Sequence, residues 1–244
     1  RFKSLPICFM HVMAHDIPYY YETGARYFQY MHVTTSLWGN KSLTNYQMSR
    51  QLWDAHADCD ALWNDYFARR YGPAADVMRQ FYAALEKMLS NVEPLKGWSS
   101  SLAMRLERGE KQLFVEPHLR YRREPGVECD APTLLEMIAH GRECRALIDR
   151  ALALSLPDHI KARITEDERM FTYGERTLAY YDACVRAFEL GRSGRLNEAR
   201  MAFREAKRLA ALLRQDTSSV ELRFKDDEPT RPNAFDATCA TGAL

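Results

Sequence analysis

No apolar run in this chain approaches the roughly 20 residues that a helix needs to cross a bilayer, so no membrane span is expected. An excess of one charge is missing as well: 34 Lys and Arg face 33 Asp and Glu, with both signs interspersed along the chain. That balance leaves no basic footprint for nucleic acid or an anionic lipid surface. The cysteines, Cys8, Cys59, Cys129, Cys144, Cys184 and Cys239, form no C-x-x-C pair and have no histidine at finger spacing. They therefore carry no zinc or redox motif and read as buried or incidental thiols. No metal and no cofactor is expected. The opening Arg-Phe-Lys-Ser has neither an initiator Met nor an apolar leader with a cleavage site.

The chain has a 46% apolar content spread over 244 residues, enough for one large domain or two small ones. Residues 5–13, Leu-Pro-Ile-Cys-Phe-Met-His-Val-Met, read as a strand buried on both faces of a parallel sheet. Residues 25–33, rich in aromatic and β-branched side chains, read as a second strand. Between them Asp16 suits a helix N-cap, Pro18 a first turn and Gly24 a terminator. Two parallel strands cannot cover both faces of their own sheet. This segment is thus expected to close an α/β domain whose earlier strands lie upstream.

From residue 34 onward the pattern is helical. Thr44 to Gln47 fits a capping box, with Leu43, Tyr46, Arg50 and Trp53 on one side of the helix that follows. A helix from Asp58 or Asp60 to Gly72 comes next, and Pro73 opens another, on which Met78, Phe81, Leu85, Met88 and Val92 form one apolar stripe. Residues 93–131 are punctuated by Pro and Gly and hold one short helix over 101–109. Asp130 then caps a helix ending at Pro157, and a long helix runs from 158 to 190 with a break expected near Gly174. The last helix carries Leu196, Ala199, Phe203, Ala206, Ala210 and Leu213 inward, and residues 220–224 read as a strand in a polar tail. Residues 179–190 and 196–213 look like one tetratricopeptide-type hairpin, whereas a solenoid needs about three stacked units. The fold class expected is mainly α, a bundle of antiparallel hairpins preceded by the last one or two β/α units of a TIM-type barrel. The divisions fall at 1–41, 42–215 and 216–244.

Substrates of parallel α/β folds lie at the carboxyl ends of the strands, which singles out His15, Asp16, Gln29 and His32. Asp16 also serves the simpler role of cap, and Gln29 and His32 that of satisfied core polars. As strand residues, His11 and His15 would stand about 13 Å apart, too far to share an ion. Tyr19, Tyr20, Tyr21, Tyr27, Tyr30, Trp38 and Tyr46 crowd the first 46 residues. Sugar rings offer apolar C–H faces to such aromatics, though a core would use the same residues. Trp38 and Asn40 stand in a Trp-Gly-Asn turn, where a large aromatic is harder to assign to the interior. No carboxylate pair with glycosidase spacing is evident.

Residues 45–54, Asn-Tyr-Gln-Met-Ser-Arg-Gln-Leu-Trp-Asp, then 58–67, Asp-Cys-Asp-Ala-Leu-Trp-Asn-Asp-Tyr-Phe, and 71–75, Tyr-Gly-Pro-Ala-Ala, resemble a bacterial family catalogued as domain of unknown function 4838. The resemblance is most specific over residues 16–92. It implies a large, often exported, glycoside-hydrolase-like parent in which a (β/α)8-type barrel precedes a helical region. On that reading this chain is its C-terminal portion, acting on or binding polysaccharide or oligosaccharide. Its substrate contacts would come from His15, Asp16, Gln29, His32, Trp38 and Asn40, its catalytic residues would lie upstream, and its helices would support the barrel or a homo-oligomer. The alternative is a helical protein-interaction module without catalytic activity.

Overall fold

The computed structural model describes residues 5–29, 39–91 and 131–218. They form a mainly helical fold with no strand among them. The elements are α1 (Met10–Glu22), α2 (Gly39–Trp53), α3 (Cys59–Tyr71), a 3-10 turn (Gly72–Ala74), α4 (Ala75–Met88), α5 (Leu134–Leu152), α6 (Asp158–Arg192) and α7 (Leu196–Ser218).

The expected strand over 5–13 is corrected: residues 5–9 are irregular, and 10–13 are the first turn of α1. A short apolar run does not tell a buried strand from a buried helix, and here a partner distant in sequence decides. Glu86 of α4 accepts the backbone N–H of His11 at 3.0 Å, satisfying a donor that a helix start leaves orphaned. Asp16 consequently sits inside α1 and caps nothing, and Pro18 lies within the helix. Gly24 does end it, at φ +104°. Gly24 N–H donates to Tyr21 O and Ala25 N–H to Tyr20 O, the paired bonds of a Schellman ending. Residues 25–29 are irregular rather than a second strand, and residues 30–33 lie outside the described residues.

α2 begins at Gly39, five residues before the expected capping box. Thr44 Oγ1 is buried without a hydrogen bond, so it caps nothing. Of the side assigned to α2, Leu43 is fully buried but Trp53 is 94% exposed. α3 matches expectation: Asp58 accepts the Ala61 N–H at 3.1 Å and Gly72 follows the last turn. Of the α4 stripe, Met78, Phe81, Leu85 and Met88 are all buried, and Val92 lies outside the described residues. Fully burying each such side chain is worth about 1.5–3 kcal/mol, enough to seat α4 against α5 and α3.

α5 is capped by Thr133, whose hydroxyl accepts the Glu136 N–H while Glu136 reaches back to the Thr133 N–H. Asp130, the cap expected from sequence, lies outside the described residues, as do the short helix at 101–109 and the strand at 220–224. α6 runs without a break through Gly174. That glycine has a packing role instead, since a Cβ there would meet Pro6 Cδ at 3.0 Å and Cγ at 3.1 Å. The absent side chain lets residues 5–9 lie across α6, with Leu5 and Cys8 each 3% exposed. α6 and α7 form the expected antiparallel hairpin. Its buried line is Ala202, Ala206, Leu209, Ala210 and Leu213, whereas Leu196 is 58% exposed.

α6 is the central helix. α5 and α7 pack along it, α2 and α3 cross it, and α4 bridges α3 to α5. The apolar core is continuous from Met10 through Phe67, Phe81 and Met137 to Phe171 and Leu213.

Candidate functional site

Of the residues singled out by sequence, His15, Asp16 and Gln29 have described side chains. His15 and Asp16 sit on the open side of α1, with His15 Nδ1 3.0 Å from Asp16 Oδ1. The His15 side chain is 81% exposed and that of Asp16 44%. The imidazole lies nearly parallel to the Tyr19 ring, at 13° and 6.5 Å between centroids. Gln29 is exposed in the irregular stretch after α1. His32 and Trp38 lie outside the described residues, and of Asn40 only the backbone, in the first turn of α2, is described.

The helical form of α1 removes the distance argument against His11 and His15, because residues four apart share a helix face. His11 is nonetheless committed elsewhere: its Nδ1 lies 2.5 Å from Glu86 Oε2 and its ring 5.0 Å from Trp63. Among the described residues no group of three His, Cys, Asp or Glu side chains is placed to hold a metal ion. Buried Gln47 completes the seat of α1. Its Nε2 donates to Met10 O at 2.8 Å and to Gln51 Oε1 at 2.9 Å, while Oε1 accepts from Trp63 Nε1–H at 2.8 Å.

A buried carboxylate joins three of the helices. Asp167, in the first third of α6, is 2% exposed. Tyr71 of α3 donates to its Oδ2 at 2.5 Å and Tyr82 of α4 to its Oδ1 at 3.0 Å. Arg70 Nε–H in turn donates to the Tyr71 hydroxyl oxygen at 3.1 Å. Burial pushes the Asp167 carboxyl up from 3.8 to about 6, against the two tyrosine donors and Arg70, which favour the charged form. Tyr71 and Tyr82 are themselves held well above their ordinary value, first by burial and next by the Asp167 charge.

A carboxyl with a raised pKa among tyrosines is chemically suggestive. Its surroundings decide against catalysis, because both tyrosines are 0% exposed and the network is closed upon itself. It fastens three helices together. At its edge Glu166 accepts the Gly39 N–H at 3.0 Å, tying the start of α2 to α6. Its signal in sequence is periodicity: Asp167 falls three residues after Ile164 and four before Phe171, on the buried line of α6.

A groove of about 350 Å³ opens where α5 and α7 lie on either side of α6. Met88, Ile138, Leu178 and Leu209 form its apolar floor, and Arg142 and Arg208 stand at its rim. The buried thiols Cys8, Cys144 and Cys184 are each pushed up to about 12, burial being the main cause, which leaves them unreactive.

Residues 3–83 match the family model described as Domain of unknown function (DUF4838). Over that stretch, about a third of the 244 residues, the chain is similar to the family. No curated protein and no solved structure matches. The DUF4838 segment takes in α1, α2, α3, the Gly72–Ala74 turn and the first part of α4. It therefore contains His15, Asp16, the Gln47 hub, Tyr71 and Tyr82, while Asp167 lies beyond it. Among the described residues no helix is long and apolar enough to cross a membrane.

Proposed function

We propose that this chain is the C-terminal, helical portion of a carbohydrate-active, glycoside-hydrolase-like protein, and that it contacts polysaccharide or oligosaccharide through the open edge of α1. The observation that carries this reading is the His15–Asp16–Tyr19 arrangement within the DUF4838 segment. An exposed tyrosine ring offers an apolar plane to the C–H face of a sugar, and the adjacent imidazole and carboxylate offer hydroxyl partners. Gln29, His32, Trp38 and Asn40 belong to the same proposed contact region. In a longer polypeptide the irregular stretches flanking α1 would join the last β/α unit of a barrel, and that barrel would supply the catalytic carboxylates.

Affinity electrophoresis of the chain through gels cast with individual polysaccharides tests the contact. Retardation by at least one glycan is expected, and it should be lost in His15→Ala and Tyr19→Ala variants that keep their helical circular dichroism. A chain that no glycan retards, or variants that bind like the wild type, would remove α1 from the sugar site.

A second reading, a helical protein-interaction module, has its own support in the groove between α5 and α7, whose apolar floor and rim of both charge signs suit an amphipathic helix. It predicts a glycan-silent chain.

A further inference from the structure

The large apolar side chains left in water are unevenly spread over the surface. On α5, just beyond it and on α7 they are scattered aliphatics, Leu135, Leu154, Leu196 and Met201, of a kind any surface carries. Where α1 and α2 end they are mostly rings: Tyr20 is 55% exposed, Tyr21 46%, Tyr27 98%, Phe28 56% and Trp53 94%, with Leu52 beside them at 47%. The edge-to-face contact of Tyr21 with His56, at 5.9 Å, brings the two helix ends to one place.

Taking about 200 Å² of side chain per ring, those exposures leave on the order of 700 Å² of aromatic surface in water. The largest apolar patch on a typical monomer is about 300–600 Å², and one side of a standard protein interface is about 800 Å². The face is therefore of the size that a partner chain covers. Its rim carries both signs, Glu22 and Asp54 against Arg26 and Arg50. A mixed rim pairs with its own copy across a two-fold axis, whereas a rim of one sign would repel it. Arg26 is already ordered: its Nη1 donates to Tyr21 O at 2.7 Å and Ala25 O at 2.8 Å, with the guanidinium 4.4 Å over the Tyr21 ring.

We propose that this aromatic face is a homodimer interface, occupied by a second copy of the chain. The inference does not rest on the sugar reading. His15 lies about 140° round α1 from Tyr20 at 3.6 residues per turn, so a partner on the Tyr20 side leaves His15 open while bordering Tyr19, whose ring meets Tyr20 edge-to-face at 5.8 Å, and Gln29, which follows Phe28.

Sedimentation of the 244-residue chain is the test, at up to about 100 μM because interfaces of this size range in affinity from about μM to pM. A species of twice 28.3 kDa is expected. Trp53→Arg and Phe28→Glu should each weaken the dimer about tenfold or more, whereas Leu196→Glu, on the far hairpin, should leave it intact. All three side chains are exposed, so the helical circular dichroism should not change. A single 28.3 kDa species at every concentration overturns the proposal. So does a dimer indifferent to both ring substitutions, or a monomer whose glycan binding is lost in Trp53→Arg and Phe28→Glu, which would give the face to sugar. Loss of glycan binding in His15→Ala with the dimer unchanged would separate the two readings.

Discussion

Glu86 and His11 lie 75 positions apart in sequence, yet the Glu86 carboxylate accepts the His11 backbone N–H at 3.0 Å and meets its Nδ1 at 2.5 Å. A side chain of α4 thus supplies the cap of α1, whose own Phe9 offers no capping oxygen. The Glu86 side chain is only 11% exposed, so the bond is shielded from competing water. Replacing Glu86 by Ala should cost about 0.5–2 kcal/mol, the usual value of a lost cap. Amide exchange in residues 10–22 should quicken while α3 and α4 keep their protection. Uniform exchange across all helices would mean that α1 is not held locally by this contact.

Gly174 tests how the N-terminal segment is seated. Alanine favours a helix interior over glycine by about 1 kcal/mol, but its Cβ would press on Pro6 at 3.0 Å. The two effects oppose each other, so the thermal midpoint of Gly174→Ala should change little. Residues 5–9 should lift, and buried Cys8 should become accessible to a thiol reagent. Peptide mapping that finds Cys8 as protected as in the wild type would show that Pro6 can shift aside without leaving α6.

Gly39 answers for the start of α2. It has φ +26°, and a Cβ there would clash with Met170 Sδ and lie 3.2 Å from Asp167 Oδ1. Met170 is 2% exposed and has little room to retreat. Gly39→Ala should therefore destabilise by about 1–3 kcal/mol, in the range of strained or overpacked sites. A urea midpoint equal to that of the wild type would show that the helix start can rearrange.

What the sequence revealed is what local chemistry controls. Asp58 and Gly72 bracket α3, Gly24 closes α1, Pro157 divides α5 from α6, and the stripe from Met78 to Met88 is buried as its spacing requires. The failures share a different cause. Residues 5–13 satisfy strand and helix patterns equally, and Glu86 settles the matter from another helix. Thr44 and Asp130 have the chemistry of caps, but Glu166 holds the α2 start and Thr133 takes the cap of α5. The three- and four-residue steps from Leu43 to Trp53 suggest one side of α2, but ten positions on, Trp53 stands about 80° round the helix from Leu43 at 3.6 residues per turn and is 94% exposed. His15 and Asp16 stand on a helix rather than at a strand end, His15 exposed and Asp16 half-buried beside it. The Asp167 network was unread because acidic residues flank it in a stretch, Thr165 to Arg169, that looks like a solvated face.

Asp167 also gives the chain a pH dependence with a definite sign. Its folded pKa, about 6, lies above the ordinary 3.8, so between those values the folded state holds more proton than the unfolded one. Stability contributed by this group is full below about 3.8 and declines as pH rises through about 6. At 1.36 kcal/mol per pKa unit the swing is on the order of 3 kcal/mol. Asp167→Asn keeps the shape and removes the titration. One tyrosine hydroxyl would keep a neutral acceptor and the other would face the amide NH2, which cannot accept, so the variant can be weaker at any single pH, and the informative quantity is the slope. Urea midpoints taken from pH 4 to pH 7.5 should show the wild type losing ground relative to Asp167→Asn as pH rises. Parallel profiles would mean that the donors Tyr71 and Tyr82, with Arg70, offset the whole cost of burying the charge, and that Asp167 stays ionised throughout.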